Sequence, residues 1–463
     1  MSEPEGLEDL AGDIDRLVRE YSARAHAANG PAESNHLAFE PGKTQVPYAG
    51  RVFAGNEVAA AVRATLDFWL TLGPQGDAFE MELADRLGVT RSILTNSGSS
   101  ANLLAVSALT SAKLPAERRL RPGDEVITCA AGFPTTVAPI VQAGAVPVFI
   151  DSDPSTGNAD CRHLERAFTT GRTKAVMLAH ALGNPFDLAA VTAFCRAYDL
   201  WLIEDNCDAL GSLYALPGKA ARLTGTFGDL STQSFYPPHH ITMGEGGAVN
   251  IARDMRFKVI VESFRDWGRD CWCDSGKENT CGKRFAWQLG ELPRGYDHKY
   301  TYSHLGYNLK PLDIQAAIGR EQLKRLPEFV AARRRNWQRL RDGLGPLAEF
   351  FDFMRATPGS EPSWFGFMML VREGAPFTAV DLSRHLDERK IGNRRLFGGN
   401  LVRQPAFVQL RKDNPAAFRV AGDLVGADRL MESALFVGVY PGLTGAMLDY
   451  VIEVIGAFCR KSK

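Results

Sequence analysis

Two adjacent histidines, His239 and His240, stand in the segment SFYPPHHITMGEGG (234–247), and no lysine occurs between Lys219 and Lys258. An imidazole, with an unperturbed pKa of about 6.5, takes and returns protons at neutral pH. Upstream, IEDNCDALG (203–211) closes an apolar run with Glu204, Asp205 and Asp208. Ligand sites of α/β proteins gather at such strand ends, although the segment alone reads equally as a helix N-cap. TNSGSSAN (95–102) joins a strand-like run to a helix-like one. Gly98 lets the chain turn, and the amides of Gly98 and Ser99 can meet a phosphate at a helix N-terminus. By itself that motif is an ordinary turn. Finally, Cys271, Cys273 and Cys281 form a C-x-C-x7-C cluster in RDWGRDCWCDSGKENTCGKR, and Cys207 can supply a fourth thiolate. Four thiolates suit either Zn²⁺ or an iron–sulfur cluster, and spacing leaves both open.

The elements that must position these residues alternate. SILT (92–95), EVIT (125–128), VPVFID (146–151), KAVMLAHAL (174–182) and WLIED (201–205) are short β-rich runs. Between them lie helix-like stretches: ANLLAVSALTS, HLERAFTT and DLAAVTAFCRAYDL. This alternation predicts a mostly parallel sheet flanked by helices. Residues 1–45 read as a helical arm and loop, 46–325 as a large domain with a cysteine-bearing insertion at about 268–300, and 326–463 as a small α+β domain. ATPGSEPS (356–363) marks an exposed loop or boundary. The chain has 463 residues, 45% apolar and 23% charged, with net charge −1. That balance gives no electrostatic footprint for nucleic acid or an anionic membrane. No apolar run approaches the roughly 20 residues of a membrane span. An acidic N-terminus without a basic-then-apolar leader predicts a cytoplasmic protein, where thiols stay reduced.

Taken in order, these segments resemble the sugar aminotransferases of the DegT/DnrJ/EryC1/StrS family. The resemblance covers most of residues 50–325 and implies a homodimer of the aspartate-aminotransferase type (PLP-dependent transferase fold type I). In that family a lysine holds pyridoxal phosphate as a Schiff base, and His239 stands in its position. The resemblance further implies that Gly98, Ser99 and Ser234 hold the cofactor phosphate and that Phe133 stacks on its ring. It implies that Asp205 pairs with the pyridine nitrogen and that Asp208 lies near the ring hydroxyl. Asn308, in GYNLKPLDIQAA, matches an asparagine that reaches the partner's phosphate across the dimer. His240 is expected to be structural.

A subgroup with histidine for lysine, the 3-dehydratases of CDP- and dTDP-linked 4-keto-6-deoxyhexoses, adds a [2Fe–2S] cluster held by four cysteines. Here they would be Cys207, Cys271, Cys273 and Cys281, with 63 residues between the first two, a longer gap than in that subgroup. The function implied is C3 deoxygenation of a nucleotide-linked 4-keto sugar with pyridoxamine phosphate. A separate reductase, ferredoxin or flavodoxin would supply electrons. Among Arg394, Arg395 and Arg403, Arg403 is the arginine expected to pair with the substrate diphosphate. Three other readings compete: a cluster-free 3-dehydratase, an aminotransferase using another lysine, and a non-catalytic binding protein with a zinc knuckle.

Overall fold

The computed structural model describes residues 6–28, 39–271, 279, 280 and 282–462. Cys273 and Cys281 lie outside the described residues. The chain opens with α1 (Leu7–Ala28), α2 (Gly55–Leu66) and α3 (Pro74–Leu87). Then β1 (Arg91–Thr95) leads into α4 (Gly98–Leu109), and β2 (Glu125–Cys129) into α5 (Pro134–Gln142). They are followed by β3 (Val146–Ile150), β4 (Thr173–Ala179) and β5 (Trp201–Asp205). These strands belong to one eight-stranded sheet, in the order β1, Gly247–Ile251, Leu230–Ser234, β5, β4, β2, β3, Arg419–Val420. All run the same way except Gly247–Ile251, which is antiparallel to both its neighbours. A parallel sheet is covered on both faces, so its strands read as nearly continuous apolar runs; β5 is buried at every position.

One expected helix is much shorter than its pattern. HLERAFTT forms a single α-helical turn, Leu164–Ala167, after which Phe168 is extended. The chain must reach the start of β4 at Thr173, and the β-branched pair Thr169–Thr170 with Gly171 at φ 79° turns it there. In the stretch 213–225, Leu213–Tyr214 and Arg222–Leu223 pair with each other, and Ser360–Glu361 joins them as the third strand. The segment 356–363 is therefore tied back onto the large domain.

A second, antiparallel sheet of four strands holds Phe351–Phe353, Gly366–Val371, Ala434–Gly438 and Asn393–Arg395, in that order. The helix Asp313–Leu344 connects the two parts. Its first half buries Ala316, Leu323, Leu326 and Phe329 against Leu94 and Phe235. Its second half buries Leu340 and Leu344 with Phe367 and Ile455. No helix among the described residues is long and apolar enough to cross a membrane.

The same helix fixes the loop 70–76 through its first residue. The buried Asp313 carboxylate accepts from the amides of Gly73 (2.9 Å), Gly76 (2.8 Å) and Gln75 (3.2 Å). It thereby satisfies orphan donors at the start of α3 and places a negative charge at that helix's positive end. Asp313→Ala should lower the unfolding free energy by about 2 kcal/mol, as loss of a charged acceptor at a helix start does. Denaturant titration followed by far-ultraviolet circular dichroism checks this; an unchanged midpoint would refute the capping role.

Candidate functional site

The C-terminal ends of β1, β2, β5 and Leu230–Ser234 open onto one cavity of about 350 Å³, where parallel α/β sheets place their ligands. Gly98 and Ser99 reach it from the start of α4, Phe133 from the start of α5, and Asp205, Cys207 and Asp208 from the end of β5. Ser234, Tyr236 and His239 follow the strand Leu230–Ser234. Tyr48, Phe365, Arg394, Arg395 and Phe436 close the other side.

Asp205 sits at the floor, 5% exposed. One carboxylate oxygen accepts from Asn102 Nδ2 at 2.9 Å and from Thr136 Oγ1 at 2.7 Å. The other accepts from the Cys207 amide at 3.2 Å. Thr232 Oγ1 in turn donates to Asn102 Oδ1 at 2.6 Å, which fixes the orientation of the amide. A buried carboxylate needs such donors because burial without them is costly. Neighbouring Glu204 points to the opposite face. Burial pushes its carboxyl up, but His180 and the amides of Gly228 and Gly225 offset this and hold it below the usual range.

His239 and His240 separate cleanly. His239 lines the cavity, its Nδ1 3.3 Å from Asp208 Oδ1. That contact is an ion-pair approach rather than an aligned hydrogen bond. His240 is buried and its Nε2 donates to the Ser363 carbonyl at 2.7 Å. Burial, and then the charge of Arg333, push its pKa well below the ordinary value, so it stays neutral.

A pyridoxal-type cofactor fits these residues. A Cβ on Gly98 would fall 2.4 Å from Ser234 Cβ and 3.1 Å from Cys207 Sγ, so only glycine allows the turn to lie this close to the strand. The helix N-terminus, Ser99 and Ser234 there suit a phosphate. Phe133 is half exposed and offers an open ring face beside Phe397. Asp205 offers a carboxylate for a pyridine nitrogen.

The cysteines are less gathered. Burial, then the charge of Asp205, push the Cys207 thiol well above its ordinary pKa. Cys271 Sγ lies 3.5 Å from Nε2 of the buried His298. Among the described residues, no group of three or more histidine, cysteine or acidic side chains is placed to hold a metal; Cys273 and Cys281 lie outside that set.

Two residues singled out from the sequence, Asn308 (expected at the partner's phosphate) and Arg403, do not line this cavity. Asn308 lies in a separate surface groove with Leu70, Trp267 and Leu312, where its Oδ1 accepts from Lys310 Nζ at 3.1 Å. Arg403 is outside the cavity lining, paired with Asp428 at 3.0 Å and Glu432 at 3.4 Å. Arg394 and Arg395 occupy the cavity wall instead, because they lie on the edge strand Asn393–Arg395 while Arg403 follows in a turn of 3₁₀ helix. Sequence reasoning missed Asn102, Thr136 and Thr232. The first two lie one turn beyond Gly98 and Phe133 on the same helices, which is the signal that would have found them.

Comparisons with known proteins give the family and the fold. The model of the DegT/DnrJ/EryC1/StrS aminotransferase family matches residues 53–456. The chain is 51% identical over 450 residues to the lipopolysaccharide biosynthesis protein RfbH of Salmonella typhimurium, covering 97% of this chain and 98% of that one. It is 50% identical over 430 residues to the dTDP-4-dehydro-2,6-dideoxy-D-glucose 3-dehydratase of Saccharopolyspora spinosa, covering 93% and 90%. Among solved structures, the E. coli GDP-4-keto-6-deoxy-D-mannose-3-dehydratase with bound hydrated PLP aligns with a TM-score of 0.77 and 28% identity, over 88% of this chain and 98% of that one. The fold is that of the PLP-dependent aminotransferases and dehydratases, and the chain belongs to the DegT/DnrJ/EryC1/StrS family.

Proposed function

We propose that this protein removes the C3 hydroxyl of a nucleotide-linked 4-keto-6-deoxyhexose, using pyridoxamine phosphate and electrons passed through a [2Fe–2S] cluster. The observation that carries this reading is His239. An imidazole faces a cavity whose carboxylate, phosphate cradle and aromatic wall are all present, while the amine of the family's lysine is not. Both the 50%-identical and the 28%-identical relatives are by name 3-dehydratases of 4-keto sugars. Pyridoxamine phosphate, when bound, supplies an amine for the C4 ketone and a ring that accepts electrons.

The chain's own residues divide the remaining work. Gly98, Ser99 and Ser234 hold the phosphate, Phe133 covers one ring face, and Asp205 holds the pyridine nitrogen protonated. His239 moves the proton at Nε2, since its Nδ1 is turned to Asp208. Arg394 and Arg395 serve the substrate diphosphate; Arg395 Nη1 is buried and bonds to none of the described residues. The net change exchanges a C–OH for a C–H, releases water, and consumes two electrons and two protons. A ferredoxin, flavodoxin or dedicated reductase supplies the electrons one at a time. Cys207, Cys271, Cys273 and Cys281 are the cluster ligands in this reading, supported by the C-x-C-x7-C spacing and by a thiol on the cavity wall at 207. The active form is a homodimer. The exposed apolar side chains of Leu70, Trp267 and Leu312, which share a groove with Asn308, support that.

Protein purified without oxygen should carry about two iron and two inorganic sulfide per chain, the content of one such cluster. Zinc with neither iron nor sulfide would remove the electron-transfer step and leave a cluster-free dehydratase or a zinc protein. His239→Lys should link pyridoxal phosphate covalently, seen as a mass increase after borohydride reduction, and should lose dehydration. Dehydration at the parental rate would remove His239 as the base. Cys273→Ser should retain pyridoxamine phosphate through gel filtration yet lose reductive turnover; persistent reduction would overturn the cysteine assignment.

A further inference from the structure

Behind His239, on the side away from the cavity, lies a guanidinium that the proposed chemistry does not use. Arg333 belongs to the helix Asp313–Leu344 at the point where that helix passes from the large-domain core to the small-domain core. Its side chain is 1% exposed. Nη2 donates to the carbonyls of His239 at 3.0 Å and Pro238 at 3.3 Å, and Nη1 donates to the carbonyl of Trp364 at 3.3 Å. Burial pulls its pKa down to about 10, opposed by the charge of Asp208, so the group still carries its proton at neutral pH. No carboxylate among the described residues comes within ion-pair distance. Its Nη atoms bond carbonyls only, its Nε bonds none of the described residues, and the Phe365 ring centroid lies 5.9 Å away; such a buried cation is costly where a methionine or leucine would fill the same space.

Its three contacts show what the charge does. Pro237 and Pro238 have no N–H, and nothing else among the described residues bonds the carbonyls of Pro238 and His239. The loop that carries His239 is therefore short of internal bonds, and Arg333 supplies them from outside. The Trp364 carbonyl belongs to the segment that places Phe365 on the cavity wall, 5.5 Å from the His239 ring. One planar fork thus ties the main chain of the base to the main chain of the facing wall. A lysine would bring one nitrogen, without the planar fork, to carbonyls that two separate nitrogens meet here.

We infer that Arg333 is a positioning residue for His239, fixing the base from behind by clamping two carbonyls of its loop to the Trp364–Phe365 wall. This rests on His239 being the base. A base displaced by about 1 Å costs up to about a hundredfold in rate while binding is preserved.

The test compares Arg333→Ala, Arg333→Lys and His239→Asn in the cofactor-loaded enzyme with the nucleotide-linked 4-keto sugar. Arg333→Ala should lower kcat by about tenfold or more, with KM and retained cofactor nearly unchanged. Millimolar guanidinium should restore part of that loss, and should restore nothing to His239→Asn. Carbethoxylation of His239, followed on its peptide by mass spectrometry, should quicken in Arg333→Ala, a readout independent of turnover. If the alanine variant does not fold, Arg333→Lys decides: a lowered kcat at constant KM supports the clamp, and parental kcat overturns it. Parental kcat in folded Arg333→Ala, or a loss confined to KM or cofactor retention, also overturns it. Activity in His239→Asn would instead defeat the reading of the base, independently of Arg333.

Discussion

The burial of the Asp205 carboxylate organises the rest of this structure. A carboxylate at 5% exposure must be met by donors, and the three that meet it come from different places in the chain. Asn102 lies on α4, Thr136 on α5, and the Cys207 amide just past β5. Satisfying one side chain therefore sets the position of two helices against the sheet. The same helices open with Gly98–Ser99 and Phe133, so these cavity-lining residues are placed by the bonds that satisfy Asp205. Donors lost here would leave a buried charge without compensation, which is far more expensive than the loss of a surface contact.

The opposite wall of the cavity obeys a different constraint. It comes from the four-stranded sheet, the segment before it that carries Phe365, and Tyr48, and it faces the loop after Leu230–Ser234, where two prolines remove amide donors. The adjacent histidines acquire unlike roles because one imidazole meets Asp208 at the cavity edge while the other is buried on the Ser363 carbonyl. Burial keeps His240 neutral. Of the two rings, the one beside Asp208 is the one that reaches the cavity.

Much of the fold was legible because parallel strands buried on both faces leave continuous apolar runs between turn signals. WLIED matches its strand residue for residue, and SILT, EVIT and VPVFID differ from theirs by a residue at one end. HLERAFTT misled because local helix propensity was overridden by the need to enter β4 six residues after the helical turn ends. The arginines divide for a related reason. Arginines nine residues apart look equivalent in a list, but the edge strand carries Arg394 and Arg395 into the cavity while a turn carries Arg403 to Asp428 and Glu432.

The sequence alone determined the chemical kinds available. It showed a histidine without a nearby lysine, a carboxylate at a strand end, a glycine–serine turn and a dense run of cysteines, because these depend on residue type and short spacing. Tertiary structure decided which of two adjacent histidines faces the cavity, which arginines line it, and which donors hold Asp205. Apart from the neighbouring Cys207 amide, those partners lie 31 to 103 residues away in the cases of Asp205 and Arg333. Contacts over such separations are fixed by the packing of helices on the sheet, which no local pattern encodes.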